Sequence, residues 1–327
     1  MSAAPAVAGD DLRLRVTQLR WEAEGVLSVT LADPGGAPLP GWRPGAHLRL
    51  TLPTGTERHY SLCGDPTDHD TYRVAVLHEP RGRGGSEYLH RFLRPGTVIA
   101  AGRPRNNFPL LPAPRYLFVA GGIGITPILP MLYEAERRGV PWNLLYGGRG
   151  RASMAFLAEL APYGDRVRVW AHDERGRLPL ADALAEARPA PGDAPVAVYC
   201  CGPGGLLDAL TGLCAEADGL HAHVERFKAP DTTAATENNS PVEVRCVKSG
   251  ATVAVPADES VLDALLAAGL KVHGSCREGI CGSCEVGVRA GTPDHRDHIL
   301  DPAERARSEV MYPCVSRALT PVLELEL

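Results

Sequence analysis

Short runs in which apolar and polar residues alternate dominate the first part of the chain, at residues 12–16, 27–31, 48–52 and 72–77. Alternation with a period of two is typical of half-buried β-strands, and turns rich in Gly and Pro separate the runs. The pattern predicts an antiparallel β-domain, for which a small closed barrel is a common form. A proline-rich join at residues 109–114 marks its end, so the first domain is predicted to span residues 1–112.

The pattern changes after residue 115. Residues 116–120 form a continuous apolar run, as expected of a parallel strand that is buried on both faces. A Gly-rich turn follows. Further strand-like runs then alternate with helix-like stretches, the strands at residues 143–146, 167–170 and 196–201 and the helices at residues 128–138, 154–160 and 204–217. This alternation predicts a doubly wound parallel α/β domain over residues 113–228.

The last part of the chain is set apart by composition. Residues 229–240 are small and polar without periodicity, which predicts a flexible linker. A third domain is predicted at residues 241–327, with strands at 242–247 and 252–255 and a helix at 261–268.

Composition and charge narrow the class of protein. The 327 residues are 44% hydrophobic and 22% charged, which is ordinary for a globular protein, and the length fits several domains. The apolar runs are too short to span a membrane, and the N-terminus lacks the basic start and apolar stretch of a signal peptide. A net charge of −5 argues against nucleic acid as a partner. We therefore expect a cytoplasmic enzyme without a membrane or nucleic-acid partner.

Nine cysteines in such a chain are not expected to form disulfides, because the cytosol keeps thiols reduced. Cys63, Cys214 and Cys246 lie in apolar or loop contexts and are predicted to be buried structural thiols.

Four cysteines near the C-terminus have the spacing of metal ligands. Cys276, Cys281 and Cys284 follow a C-x4-C-x2-C pattern, and Cys314 stands farther along the chain. This is the plant-type ferredoxin arrangement, which predicts a 2Fe-2S cluster bound by the four thiolates. The alternative, a structural zinc site, usually pairs two C-x2-C knuckles and fits the spacing poorly.

Glycines interrupt this cysteine loop. Gly274, Gly279 and Gly282 are predicted to let the backbone approach the cluster, either because a Cβ would crowd it or because the dihedral angles favour glycine. The backbone N–H groups of Ser275 and Arg277 are expected to donate toward the cluster sulfides.

Two glycine turns follow predicted strands of the α/β domain. Residues 121–127 read G-G-I-G-I-T-P, in which Thr126 suits an N-cap and Pro127 the first helical position. The second turn, at residues 202–204, follows the run that ends at Cys201. The first turn is not the Rossmann fingerprint, and alone it could be a plain tight turn. Together, two turns at the carboxyl ends of strands in one sheet predict a dinucleotide site.

The β-domain carries its own candidate chemistry. Arg58, Tyr60 and Ser61 are predicted to lie on alternating positions of one strand, where they could hold a phosphate, cover a planar ring and bond a ring nitrogen. Residues 82–86 read G-R-G-G-S and open a predicted helix at residues 87–92, a second anion-binding device. Each segment alone could be a surface strand or loop, but beside nucleotide and iron–sulfur domains they predict a flavin site.

Five motifs in this order resemble the phthalate dioxygenase reductase family: R-x-Y-S-L at residues 58–62, G-R-G-G-S at 82–86, G-G-I-G-I-T-P at 121–127, C-C-G-P at 200–203, and the C-terminal cysteine set. Members of this family are FMN-containing, NAD(P)H-dependent reductases of the ferredoxin reductase superfamily. The resemblance covers nearly the whole chain. It implies a flavin-binding β-barrel, a nucleotide-binding α/β domain and a C-terminal β-grasp ferredoxin domain.

The resemblance implies a set of flavin contacts in the β-domain: Arg58, His59, Tyr60, Ser61, Ala75, Val76, Arg83, Gly84, Gly85 and Ser86. Within this set, Arg58 and Arg83 would bind the phosphate. Tyr60 would pack on the isoalloxazine ring, and Ser61 would bond near its reactive N5. An arginine on the flavin phosphate implies FMN rather than FAD, because it caps the position from which an adenylate would extend.

The corresponding nucleotide set is Gly122, Gly124, Thr126, Arg149, Cys201 and Gly202, with Cys201 and Gly202 bordering the nicotinamide. Glu225 and Phe227 lie where such reductases close the flavin pocket. The loop at residues 148–153 contains Arg149, Arg151 and Ser153 and no acidic residue, which would suit a 2′-phosphate, whereas NADH is the commoner choice in the family. The choice between NADH and NADPH stays open at this stage.

This domain set implies the chemistry. A hydride carries two electrons and a 2Fe-2S cluster accepts one at a time, so a flavin must stand between them. The expected order is NAD(P)H, FMN, cluster and acceptor, with Ser61 and Cys201 at the reacting centre. Cys201 is expected to act as a wall rather than a nucleophile.

The expected acceptor is a terminal oxygenase of the Rieske non-haem iron type, in roles such as aromatic catabolism or demethylation. A haem-thiolate monooxygenase is the alternative, a non-catalytic redox sensor is a hypothesis of another class, and direct reduction of a small molecule is a third. We expect a monomer that binds its acceptor transiently.

Overall fold

The computed structural model describes residues 11–230 and 239–327. The chain divides into two units, Met1–Arg226 and Phe227–Leu327, each described here by itself. Of the predicted linker at residues 229–240, the stretch 231–238 lies outside the described residues.

The first part of unit one is an antiparallel sheet. Its elements are β1 Leu12–Ala23, β2 Val26–Ala32, β3 Ala46–Thr51, β4 Glu57–Ser61, β5 Thr71–Leu77, α1 Gly85–Arg91, β6 Val98–Ala101 and β7 Arg105–Asn106. The strand order is β4-β3-β6-β1-β2-β5, with β7 beside β3, and a bridge between Leu62 and Val74 joins the two ends. This confirms the predicted antiparallel barrel.

Alternate residues of the barrel strands fill its core, as Leu48 and Leu50 of β3 do. β1 is longer than the predicted run at residues 12–16. Its register against β2 shifts at Val16/Gln18 and at Trp21/Ala23, so the strand continues while its alternation breaks. Periodicity alone could not show its full length.

The second part of unit one is a parallel sheet covered by helices. Its elements are β8 Tyr116–Gly121, α2 Ile125–Arg138, β9 Trp142–Gly148, α3 Leu157–Leu160, β10 Val167–Ala171, α4 His172–Arg175, α5 Leu180–Ala187, β11 Val196–Cys201, α6 Gly204–Ala215 and β12 Leu220–Glu225. The order is β10-β9-β8-β11-β12, and every neighbouring pair is parallel. The predicted doubly wound sheet is confirmed, and its switch point lies between β8 and β11.

Two local predictions in this region are wrong. The helix predicted at residues 154–160 forms only at Leu157–Leu160, because Phe156 has a left-handed backbone with φ 63°. α2 begins three residues before the predicted 128, since the Gly122–Gly124 turn is a 3₁₀ turn that leads straight into it. Gly124 is therefore the N-cap residue, and Thr126 and Pro127 lie inside the first turn.

The barrel and the parallel sheet share one apolar cluster. Barrel residues such as Val26, Cys63 and Ala75 pack in the same cluster as Phe118 and Ile125 of the sheet and its helix. Cys63, Cys214 and Cys246 are all buried, as predicted.

Unit two is a mixed sheet with a helix against it. Its elements are β13 Val242–Cys246, β14 Thr252–Val255, α7 Val261–Ala267, β15 Val286–Ala290, β16 Pro293–Asp294, α8 Pro302–Arg307, β17 Val310–Met311, β18 Arg317–Ala318 and β19 Val322–Leu325. The order β14-β13-β19-β15-β17 places the parallel pair β13 and β19 at the centre. Val261 and Leu265 of α7 pack in the core of the sheet. This confirms the β-grasp prediction.

Among the described residues, no helix is both long and apolar enough to cross a membrane.

Candidate functional site

The two glycine turns meet at the switch point of the parallel sheet. Ala120 pairs with Cys201 across β8 and β11, so the turns that follow these strands lie side by side. A Cβ built on Gly124 would lie 2.8 Å from the nitrogen of Gly202 and still closer to the Cys201 carbonyl. Contact between the two turns thus requires glycine at position 124. The sequence analysis had placed Gly124 among the nucleotide contacts.

Gly122 differs from Gly124 in its surroundings. Its φ is +57°, and a Cβ built there would meet nothing within 4 Å. Its surface therefore faces open space at the carboxyl edge of the sheet, where an α/β protein binds its ligand. Thr126 is buried, and its hydroxyl donates to the carbonyl of Ile123 at 2.9 Å, so this side chain holds the turn in shape.

Strand β5 of the barrel lies against the first glycine turn. Ala75 belongs to the apolar cluster shared with the sheet, whereas Val76 belongs to the barrel core. The side chain of Ala75 therefore points toward the parallel sheet and that of Val76 into the barrel, and the Nε2 of His90 lies 2.9 Å from the Val76 carbonyl.

Arg58 of strand β4 contacts the loop that carries Arg83. Arg58 donates from Nη2 to the carbonyl of Arg83 at 2.9 Å, and a Cβ built on Gly85 would lie 2.5 Å from the Nε of Arg58. Gly84 caps α1 with φ 81°, a left-handed conformation that favours glycine. The Ser86 hydroxyl accepts from the Glu79 nitrogen at 3.0 Å, so it fixes the loop.

The prediction that Arg58, Tyr60 and Ser61 alternate along one strand holds only for the first two. Ser61 follows Tyr60 directly, so its side chain leaves the opposite face of β4, beside His59 and across from His47 of β3. The His47 and His59 rings lie 5.3 Å apart, edge to face. Burial raises the pKa of Tyr60 to about 12, with Arg58 opposing the shift, so the phenol stays protonated.

Ser61 itself is buried, and its hydroxyl has no hydrogen-bond partner among the described residues. A buried hydroxyl without a partner costs free energy unless a ligand supplies one. This orphaned atom fits a polar ring edge bound at this end of β4.

A thiol and a carboxyl group face each other at the edge of the parallel sheet. Cys201 and Glu225 are paired across β11 and β12, and Cys201 Sγ lies 4.0 Å from Glu225 Oε2. Burial raises the pKa of Glu225 to about 8. Burial, together with the nearby Glu225, also raises the pKa of Cys201 well above its ordinary value. Cys201 is thus a neutral thiol, which is unsuited to act as a nucleophile.

Phe227, predicted to help close the flavin pocket, begins the second unit and is partly exposed. Its role stays a prediction.

The loop after β9 lines a cavity of about 430 Å³ in unit one. The lining residues are Glu24, Arg149, Gly150, Ala152, Ser153 and Asp173. The Asp173 nitrogen donates to the Arg149 carbonyl at 3.0 Å, and Glu174 pairs with Arg151 at 2.9 Å. The sequence analysis found no acidic residue in this loop, but helix α4, directly after the neighbouring strand β10, supplies Asp173 and Glu174. Their position directly after a strand was the signal that could have found them.

The four C-terminal cysteines come together in unit two. The Cys276 thiol lies within hydrogen-bonding reach of Cys281 and Cys314, and Cys284 within reach of Cys314. Hydrogen bonds from Cys281 and then Cys314 lower the pKa of Cys276, and the contact with Cys276 raises the pKa of Cys281 and of Cys314. Backbone and hydroxyl groups also approach the sulfur atoms: the Glu278 nitrogen donates to Cys276 Sγ at 3.3 Å, and Ser283 Oγ lies 3.1 Å from Cys281 Sγ.

The conformation of the loop bears on the predicted roles of its three glycines. Gly279 and Gly282 have φ of 68° and 73°, as their predicted conformational role requires, and Arg277 adopts φ 59° without being glycine. A Cβ on Gly274 would lie 2.4 Å from a methyl group of Leu262 on α7, so packing on the helix also disfavours a side chain there, and the predicted role of Gly274 beside the cluster stays a prediction. The Ser275 nitrogen donates to Ser283 Oγ at 3.1 Å, and its donation toward the cluster stays a prediction.

Comparison with known proteins agrees with this geometry. A family model described as a 2Fe-2S iron–sulfur cluster binding domain matches residues 244–319. The chain is 41% identical to phenoxybenzoate dioxygenase subunit beta of Ectopseudomonas oleovorans, with 100% of both chains covered.

Two solved structures are also similar. Phthalate dioxygenase reductase, described as a modular structure for electron transfer from pyridine nucleotides to [2Fe-2S], matches with a TM-score of 0.68 and 34% identity over 97% of this chain and 98% of that one. An intact type IV self-sufficient cytochrome P450 monooxygenase matches with a TM-score of 0.90 and 41% identity, where the whole of this chain spans 43% of that chain.

Fold, site and similarity together define an NAD(P)H-dependent flavin and iron–sulfur oxidoreductase. The comparisons confirm the predicted cofactor set of FMN, NAD(P)H and a 2Fe-2S cluster. The chain belongs to the phthalate dioxygenase reductase family, as its motifs indicated. It is the reductase component of an oxygenase system, and its partner is an oxygenase.

Proposed function

We propose that electrons pass through this chain from a nicotinamide at Cys201 and Glu225, by way of FMN on β4 and β5, to a cluster held by Cys276, Cys281, Cys284 and Cys314. One observation carries the flavin assignment: the buried Ser61 hydroxyl without a partner stands at the end of β4. When bound, FMN supplies the conversion of a two-electron hydride donor into single electrons for the cluster.

The protein's own residues then bind and orient. Arg58 and Arg83 hold the FMN phosphate beside the backbone of Gly84 and Gly85, since Arg58 already spans this turn. Tyr60 stays a neutral phenol and covers the ring, and the Ser61 hydroxyl bonds its polar edge near N5. Ala75 is small, so β5 leaves room for the ring in a crevice beside the Gly122–Gly124 turn.

The nucleotide lies across the carboxyl edge of the parallel sheet. Its diphosphate takes the open surface at Gly122 and the start of α2, and its nicotinamide lies at Cys201 and Gly202. The neutral Cys201 forms a wall, and Glu225 stays protonated below about pH 8, so neither places a charge against the ring.

We propose that the adenosine ribose occupies the cavity between Arg149 and Asp173 and that the enzyme prefers NADH. Arg151 is already paired with Glu174, which leaves Arg149 facing the carboxylates of Glu24 and Asp173. A 2′-phosphate there would meet more negative than positive charge, whereas a ribose diol can donate to a carboxylate.

The kinetic test of this preference compares kcat/KM for NADH and NADPH in the wild type and in Asp173→Ser. The wild type is expected to favour NADH, and the variant to shift the ratio toward NADPH about tenfold or more, because one ionic repulsion is lost. A wild type that prefers NADPH, or an unchanged ratio, would refute the assignment.

For the acceptor, we propose a separate Rieske non-haem iron oxygenase that binds transiently to a monomeric, cytoplasmic reductase. The family default and the similarity over full length to a dioxygenase subunit support this. The domains would be residues 1–112 for FMN, 113–228 for the nucleotide and 241–327 for the cluster, joined by the linker at 229–240.

A haem-thiolate acceptor is the second candidate, because the chain is 41% identical to part of a self-sufficient cytochrome P450. Reconstitution with each type of purified oxygenase distinguishes the two. The proposal predicts NADH-driven turnover with a Rieske oxygenase and little with a haem-thiolate enzyme. The reverse result would replace the first candidate with the second. Absence of cytochrome c reduction by the loaded protein would contradict both and favour a redox sensor.

A further inference from the structure

A half-buried ion pair crosses from the barrel to the parallel-sheet part of unit one. Arg73 of β5 binds Glu159 of α3 with two parallel contacts, Nη1 to Oε1 at 2.6 Å and Nη2 to Oε2 at 2.9 Å. Their side chains are 20% and 29% exposed, so most of both charged groups is removed from water. A bidentate arginine–carboxylate pair of this kind fixes orientation as well as distance.

Neighbouring groups complete the pair into a network. The Tyr133 hydroxyl of α2 donates to Glu159 Oε2 at 2.7 Å, and Arg73 Nη2 also donates to the Cys63 carbonyl at 2.7 Å. The guanidinium carbon lies 5.2 Å from the centre of the Phe156 ring. Burial acts to raise the pKa of Glu159, but the hydrogen bonds from Arg73 and Tyr133 outweigh it and lower the pKa, so the carboxylate stays charged.

Phe156 adds a second sign that this contact is specifically built. It holds a left-handed backbone, which is uncommon for a bulky residue and persists only where surrounding contacts over-determine it. The bend at Phe156 starts the short helix that carries Glu159.

The network is attached to β5 and to α2, which lie on the two sides of the proposed crevice for the flavin and nicotinamide rings. Arg73 stands two residues before Ala75 on β5, about 7 Å along the strand and on the same face. Tyr133 stands on α2, which begins at the Gly122–Gly124 turn. Because a strand and a helix are stiff, a shift of the network residues moves β5 relative to the Gly122–Gly124 turn.

A second ion pair crosses between the same two parts but differs in exposure. Arg137 of α2 binds Asp65 at 2.9 Å, with side chains 35% and 52% exposed. An exposed pair of this kind contributes little, because solvent screens it and its side chains are mobile. It is a matched control within the same interface.

We propose that Arg73, Glu159 and Tyr133 are positioning residues that set the separation between β5 and the Gly122–Gly124 turn, and so the stacking of nicotinamide on flavin. This inference rests on the proposed placement of both rings at that crevice. The residues touch neither ring; they act through the strand and the helix that carry the walls.

The test uses the full chain loaded with FMN and cluster, in the variants Glu159→Gln and Tyr133→Phe and the control Asp65→Asn. Anaerobic stopped-flow gives the rate of flavin reduction by NADH, and the long-wavelength absorbance of the mixed nucleotide and flavin reports their stacking. Hydrogen–deuterium exchange on the cofactor-free protein reports the mobility of β5 and the start of α2.

We expect Glu159→Gln to slow flavin reduction about 10- to 100-fold, since a misplacement near 1 Å has an effect of this size. Its stacking absorbance should fall, and exchange in β5 should quicken. Tyr133→Phe, which removes one hydrogen bond and keeps the ion pair, should show the same changes to a smaller degree. Asp65→Asn should stay within about twofold of the wild type.

The inference fails if the variants lose only thermal stability or FMN content while flavin reduction and stacking absorbance in the FMN-bound fraction match the wild type. It also fails if Asp65→Asn is as slow as Glu159→Gln. A wild type whose FMN is not reduced by NADH would instead refute the proposed function, so the two failures are distinguishable.

Discussion

Replacing Gly124 by alanine tests how closely the two glycine turns must approach. The new Cβ would lie 2.8 Å from the Gly202 nitrogen and closer still to the Cys201 carbonyl, and both neighbours are backbone atoms. A side chain could rotate away, but backbone can only move apart, by a substantial fraction of an ångström. Overpacking of this kind costs about 1–3 kcal/mol.

The expected result has two parts. The melting temperature of the reductase unit should fall by about 2–4 °C for each kcal/mol lost, as is usual for a unit of this size. The separation of the turns also displaces Cys201 from the nicotinamide, so NADH-dependent cytochrome c reduction should slow by about tenfold or more. Cluster absorbance should be unchanged, because the four cysteines belong to the other unit.

Gly212→Ala is the matched control. Gly212 lies inside α6, and a Cβ there meets nothing within 4 Å. Alanine should stabilise this helix by about 0.5–1 kcal/mol and leave the reduction rate unchanged. If Gly124→Ala melts and turns over like the wild type, the reasoning that the turns must touch is refuted.

Three further predictions concern single residues. Cys314→Ser should remove the visible absorbance of the cluster, whereas Cys246→Ala, a buried thiol outside the loop, should retain it; equal loss in both would contradict the ligand assignment. Ser61→Ala should keep FMN bound but slow its reduction by NADH about tenfold, since a hydrogen bond to the reacting edge of the flavin is lost. An unchanged rate would show that Ser61 does not contact the reacting edge. Burial raises the pKa of Glu225 from 4.5 to about 8, so the folded protein keeps a proton that the unfolded chain releases, and stability falls as pH rises through that range. In urea unfolding of the cofactor-free protein, the free energy of unfolding of Glu225→Gln should therefore rise relative to that of the wild type by about 1.4 kcal/mol per pH unit between about pH 5 and 7. If the two free energies change in parallel with pH, Glu225 does not have the raised pKa.

Much of the chemistry could be predicted from the sequence because it is local. The spacing of Cys276, Cys281 and Cys284 lies within one loop, and the run G-G-I-G-I-T-P directly follows one strand. The patterns of successive segments likewise predict the order of β-domain, α/β domain and cysteine domain. Spacing and periodicity therefore sufficed for the class of each domain and for the iron–sulfur cluster, whereas FMN followed from the resemblance to a known family.

Local rules were less successful where a backbone conformation depends on its surroundings. Phe156 takes a left-handed conformation that no propensity would assign to it, which shortened the predicted helix. β1 continues through two register shifts that hide its alternation. Thr126 looks like an N-cap, but the 3₁₀ turn before it moves the start of the helix to Ile125.

The sequence by itself determined the iron–sulfur loop, the two glycine turns and the succession of domains. Only the tertiary structure decided which groups face one another: Asp173 beside Arg149, Glu225 beside Cys201, and Arg73 bound to Glu159 across 86 positions of sequence. The physical reason is that ligand spacing and glycine turns are properties of a few consecutive residues. Burial, charge pairing and contact between turns arise only when the packed sheet and barrel bring distant segments together.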